Sequence, residues 1–136
     1  MTRRERLIET AVRGAGVILR GVARGDGKLG RGVRARADAV DRLLQWQRAS
    51  RDPSRPLVWV HAPSVGEALM AKAIIGALRA RRPDAQILFT FFSPSAERIA
   101  GDVGADAAEY LPWDTTAETG RVVAALRPAV VACVRT

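Results

Sequence analysis

From Leu57 onward, short apolar runs alternate with stretches of helical period. Leu57–Val60 is a brief apolar run rich in β-branched and aromatic residues. Pro63, Ser64 and Gly66 break it, and Ala68, Leu69, Ala71, Ile74, Ile75 and Leu78 then recur at helical spacing. The pattern predicts a buried strand over 57–61, a tight turn, and a helix over 65–81. The same alternation predicts strands at 86–91, 107–111 and 129–134, with helices at 94–101 and 115–126. Ser93 is placed as N-cap of the middle helix with Pro94 at its first position. Pro83 and Pro128 stop the flanking helices, and Arg79, Arg81 and Arg82 suit the negative end of the first. Strand and helix alternate with short connections, so the expected fold is α/β, a parallel, doubly wound, Rossmann-like sheet over 56–136.

The pattern upstream is different. Leu7, Ile8, Ala11, Val12, Ala15, Ile18, Leu19 and Val22 fall on one helical face, with Arg6, Arg13 and Arg20 opposite. Gly14, Gly16 and Gly21 each cost such a helix up to ~1 kcal/mol, so it needs a surface on which to form. Residues 25–30 interrupt it. A second helical stretch carries Val33, Ala37, Val40, Leu43, Leu44 and Trp46, and residues 51–56 form a loop. The net charge is +8, and all of it lies in residues 1–55, which hold fourteen Lys/Arg and six Asp/Glu; residues 56–136 hold eight of each. The reading is therefore a basic helical arm, 1–55, before a neutral α/β unit. The arm has three readings: it lies on an anionic bilayer surface, it packs on its own domain, or it binds nucleic acid. The third is least supported, because Trp46 is its only aromatic residue and no nucleic-acid motif is present.

The chain is 136 residues long, enough for one domain, and nearly half of it is apolar. No apolar run approaches the ~18 residues of a membrane span, and no signal-peptide core is evident. Cys133 is the only cysteine, which suits a reducing compartment; within Val130–Val134 it reads as core filler.

Candidate chemistry gathers where the strands end, at the edge where open α/β sheets bind ligands. Ser64-x-x-Glu67 matches a capping box, as does Thr115-x-x-Glu118. Glu67 is thus either a cap or an acid/base group. A helix N-terminus favours its carboxylate, whereas burial under a substrate would restore basicity. His61, the only histidine, either orients a ligand or packs against backbone. Ser93 and Ser95 either cap a helix or help it hold an anion. Trp113-Asp114 offers an aromatic platform or a packing residue. No phosphate loop, dinucleotide fingerprint, serine elbow or zinc ligand set is present, so no metal site is expected. A unit with none of these reads as part of an enzyme, or as a stand-alone binding or interaction module without activity.

His61-Ala-Pro-Ser-Val-Gly-Glu67 resembles the His-Ala-x-Ser-Val-Gly-Glu signature of the 3-deoxy-D-manno-octulosonic acid (Kdo) transferases of lipopolysaccharide synthesis. The segments around it agree in order: Arg55–Val60 before it, Phe89–Ser95 after it, then Tyr110-Leu-Pro-Trp-Asp114, Arg127-Pro128 and the Val130–Val134 strand. The resemblance covers 55–136 firmly and the arm loosely.

It implies the N-terminal, acceptor-binding half of a GT-B glycosyltransferase. Such an enzyme transfers Kdo from CMP-Kdo to a lipid A precursor, with inversion and without a bound metal or other cofactor. Glu67 matches the general base. Ser64, Gly66, His61, Ser93 and Ser95 are expected to shape the acceptor site. In the family an acidic Glu-Leu-Trp-Pro segment and a donor-binding domain follow the last strand seen here. By that measure the chain is expected to be an acceptor-domain fragment, inactive alone. The arm, less hydrophobic than the anchor of many relatives, is expected to attach peripherally to the cytoplasmic face of the inner membrane.

Overall fold

The computed structural model describes residues 27–135. The amphipathic stretch 7–22 lies outside the described residues. Helix α1 (Lys28–Ser50) leads into strand β1 (Leu57–Ala62), followed by α2 (Val65–Arg81), β2 (Gln86–Phe91), α3 (Glu97–Ala100), β3 (Ala107–Tyr110), α4 (Thr116–Leu126) and β4 (Val130–Cys133). The four strands form one sheet in the order β3-β2-β1-β4, and every pairing is parallel. The chain steps outward from β1 to β3, then crosses back to place β4 on the other side of β1. That reversal opens a switch point between β1 and β4, the place where doubly wound sheets leave a crevice at their carboxyl ends.

Strand alternation sorts the core into two layers. Val60, Ala62, Ile87, Phe89 and Phe91 face α2 and α3, where Ala68, Ala71, Ile75 and Ala100 meet them. Leu57, Trp59 and Leu88 face the other way, against Val40 and Leu43 of α1 and Val122 and Leu126 of α4. Residues 28–50, grouped with the arm on charge, thus pack on the sheet as α1, so charge and packing divide the chain at different places. Arg42 of α1 adds a two-pronged ion pair to Glu109 of β3, at 2.6 and 2.9 Å.

Three local readings change. The helix expected from residue 94 begins only at Glu97 and lasts one turn. Ser93 Oγ accepts the N–H of Ser95 (3.2 Å) and the Ser93 carbonyl accepts that of Ala96 (2.9 Å), so Ser93 organises a turn and does not cap a helix. Cys133 is exposed, not core filler, because β4 is an edge strand whose Val130 and Val131 are also more than half exposed. On α2, Leu69, Met70 and Ile74 point outward, because the alanine side of the helix is the one that approaches the sheet closely. Two described linkers use a left-handed backbone: Gly104 turns into β3 at φ +84, where a side chain would be strained, and Arg127 closes α4 at φ +49.

Candidate functional site

The carboxyl ends of the strands bring three loops side by side: Pro63–Ser64 after β1, Phe92–Ala96 after β2, and Leu111–Thr115 after β3. Backbone bonds join them, Ser93 N–H to the Pro63 carbonyl (2.9 Å) and Leu111 N–H to the Phe91 carbonyl (2.7 Å).

In the first loop the capping box forms in both directions. Ser64 Oγ accepts the backbone N–H of Glu67 at 3.4 Å, while Glu67 Oε2 accepts Ser64 N–H at 3.1 Å and Ser64 Oγ–H at 2.6 Å. The carboxylate sits at the positive end of α2, only 8% exposed. Burial at this point depends on the box, because an unsupported buried carboxylate costs several kcal/mol. Gly66 is exposed, and a side chain there would meet nothing within 4 Å, so the turn is open to an approaching molecule. Thr115 caps α4 in the same manner, its Oγ1 accepting the N–H of Glu118 at 3.2 Å.

The structure brings Ser64, Gly66 and Glu67 together in one turn. Ser93 and Ser95 lie half-buried in the adjoining loop. His61 belongs to the same edge but to the other face of the sheet. Its Nδ1 lies 3.0 Å from both the carbonyl and the hydroxyl oxygen of Thr90, and the Thr90 hydroxyl also accepts Trp59 Nε1–H at 2.8 Å. It lines a cavity of about 240 Å³ with Trp59, Pro112, Asp114, Val122 and Val131.

Burial is the main force that lowers the His61 pKa below its ordinary value. The Arg36 cation adds to it; the Thr90 carbonyl and Glu67 oppose it. The unfolded chain therefore binds a proton that the folded chain resists. The contribution of His61 to stability is complete above the unfolded value of about 6.5 and is lost as the pH falls toward the folded value. Urea unfolding is expected to show this loss below about pH 6.5, and His61→Gln should flatten it.

Replacing Thr90 by Val should leave the buried Trp59 N–H without its acceptor. We expect a loss of ~1–3 kcal/mol in the same unfolding measurement.

One residue at this edge escaped the sequence reading. Arg36, on the sheet side of α1, is 6% exposed. Its guanidinium lies between the rings of Phe92 and Trp113, 4.2 Å from each centroid. It donates from Nε to the Leu111 carbonyl at 2.9 Å and from Nη2 to the Pro112 carbonyl at 3.0 Å. Burial lowers its pKa to about 10 against the pull of Glu118 and Asp114, so it stays a cation at neutral pH. Trp113 Nε1 is buried and meets no acceptor among the described residues. The signal was present in the sequence: Val33, Arg36, Val40 and Leu43 share one helical stripe, and an arginine on an apolar stripe must find partners.

No group of three or more metal-ligating side chains occurs among the described residues. No helix among them is long and apolar enough to cross a membrane. The arrangement thus offers a buried, hydrogen-bonded carboxylate in an open turn, beside polar and aromatic loops. That is equipment suited to taking a proton from a hydroxyl group.

No solved structure matches the chain. Residues 36–136 match the family model of 3-deoxy-D-manno-octulosonic-acid transferase. The match begins in α1 and takes in every strand, so the edge bearing Glu67 lies wholly within it, and the chain belongs to the 3-deoxy-D-manno-octulosonic-acid transferase family.

Proposed function

We propose that this chain is the acceptor-binding part of an inverting glycosyltransferase that moves Kdo from CMP-Kdo to a lipid A precursor in lipopolysaccharide synthesis. The observation that carries this is Glu67, buried in a capping box that opens onto the carboxyl edge of the sheet. In the proposed step, Glu67 takes the proton of the acceptor hydroxyl. The oxygen attacks the anomeric carbon of Kdo, the bond to CMP breaks, and the configuration inverts. No metal is required, since the leaving group departs as a phosphate monoester already stable as an anion. Ser64 and Gly66 line the base, and Ser93 and Ser95 bound the acceptor from the next loop. CMP-Kdo is held mainly outside these residues, so the chain alone supports no transfer.

The acceptor is a lipid, and two features fit a site at a membrane surface. Leu69, Met70 and Ile74 lie exposed on α2, the helix that Glu67 opens. The N-terminal third of α1, part of the basic stretch, stands at the same edge, since a side chain at Gly32 would meet the Pro94 ring and Arg36 stacks on Phe92. We place the protein on the cytoplasmic face of the inner membrane, attached peripherally through residues 1–55.

The test is a transfer assay with labelled CMP-Kdo, a lipid A precursor, and the chain joined to the donor-binding half of a Kdo transferase. Labelled Kdo should appear on the lipid with the joined protein and not with either part alone. Failure of the joined protein, with a donor half shown to bind CMP-Kdo, would overturn the reading.

A further inference from the structure

We propose that Arg36 is the positioning residue of the acceptor edge: it locks the loops after β2 and β3 into one wall and so sets affinity for the acceptor. The inference rests on the acceptor-edge reading above.

All four groups that hold the guanidinium belong to edge loops. Phe92 comes from the loop after β2; Trp113 and the carbonyls of Leu111 and Pro112 come from the loop after β3. Those two carbonyls lie beyond Tyr110, where β3 and its pairing with β2 end, so the fork supplies their donor. One turn earlier in α1, Gly32 lies so close to Pro94 that a side chain would come within 3.1 Å of the proline ring. Ser93 in turn donates to the Pro63 carbonyl, one residue before the capping box. A continuous set of contacts therefore runs from Arg36 through two loops to the turn that carries Glu67.

A requirement for packing alone would not select this residue. A buried cation pays for desolvation, and an apolar side chain of like volume would fill the space at least as well. A planar fork that stacks on both faces while donating in its plane fixes two rings and two carbonyls at once, which lysine cannot do. Phe92 is still about half exposed, so the clamp holds an aromatic face toward solvent at the edge where the acceptor would lie.

The test uses Arg36→Met, Arg36→Lys and Phe92→Leu in the joined transfer assay, with Glu67→Gln beside them. Arg36→Met is expected to raise the acceptor KM by ~10-fold while kcat changes by less than ~3-fold, because it displaces the binding wall and leaves the base in place. Arg36→Lys should not restore KM, since charge alone cannot hold both loops. Phe92→Leu should shift KM in the same direction and less. An independent signature comes from His61, the only histidine: its imidazole NMR signals should titrate at higher pH in Arg36→Met, where the neighbouring cation is gone.

Wild-type KM in Arg36→Met or Phe92→Leu, or full rescue by Arg36→Lys, would overturn the proposal. If Arg36→Met does not fold, Arg36→Lys and Phe92→Leu decide the matter. If Glu67→Gln transfers normally while Arg36→Met raises KM, the base is wrong and the clamp stands. If Glu67→Gln loses transfer and Arg36→Met keeps a wild-type KM, the clamp is wrong and the base stands.

Discussion

Glu67→Gln should lower the rate of Kdo transfer by ~10²–10⁴ while the domain stays folded. Glutamine keeps the length of the side chain and an oxygen that can accept the Ser64 N–H and hydroxyl bonds now made at 3.1 and 2.6 Å. It cannot take a proton. The substitution therefore separates the two roles available to this residue. A cap would lose at most about 1 kcal/mol of stability and no activity. A general base would lose activity with little change in stability. Kcat from the joined transfer assay, set beside the urea midpoint of the same protein, distinguishes them. A rate within a few-fold of wild type would leave Glu67 as a cap alone.

The second large effect is on folding. Phe89→Ala should destabilise the domain by ~3–5 kcal/mol. Phe89 is fully buried in the central strand β2, packed in the layer between the sheet and α2, with the Phe91 ring 6.1 Å away. Both faces of β2 are covered, every one of its residues is buried, and backbone pairing on each side holds it in place. The layer therefore cannot collapse to fill the space. Domains of this size are stable by only ~5–15 kcal/mol, so the loss should be visible as a large fall in the urea midpoint. Val131→Ala makes the contrast. Val131 is apolar too, but it is 55% exposed on the edge strand, and its loss should stay within ~0.5 kcal/mol. Equal effects at the two positions would contradict the assignment of β2 as the centre of the core and β4 as its edge.

The sequence shows the alternation of strand and helix well because each β–α junction carries its own punctuation. Ser64 and Thr115 each cap the helix that follows, and Pro83 and Pro128 end the helices before β2 and β4. The readings that changed have a common physical cause: position in the sheet is a long-range property. An apolar run such as Val130–Cys133 has the composition of a buried strand wherever it lies, and only the order β3-β2-β1-β4 makes it an edge. The extra apolar residues of α2 likewise cannot be assigned inward or outward without knowing how closely the helix approaches the sheet. Ser93-Pro94-Ser95 has the letters of a helix start, yet the Ser93 hydroxyl satisfies the nearest N–H within a turn, and the helix is left with one turn.

The candidate site divides in the same way. Glu67 and its cap follow from four consecutive residues. Arg36 lies about thirty residues upstream, in a stretch whose positive charge suggested a separate arm. Only the packing of α1 on the sheet brings it to the carboxyl edge, beside Phe92 and Trp113. His61, the first residue of the signature, faces the opposite side of the sheet from α2 and is tied to Thr90. Neighbouring strand residues point to opposite faces, which sets His61 on the far side of the sheet from α2, although the Glu67 charge still reaches it.

In the proposed function the carboxyl edge around Glu67 receives the acceptor. The most direct measurement needs no donor: NMR titration of the isotope-labelled chain with the water-soluble sugar-phosphate headgroup of a lipid A precursor. The largest shifts should fall on Ser64, Gly66, Glu67, Ser93 and Ser95. Shifts confined to the opposite edge, around Asp52–Pro56 and Arg127, or no shifts at saturating headgroup, would contradict it.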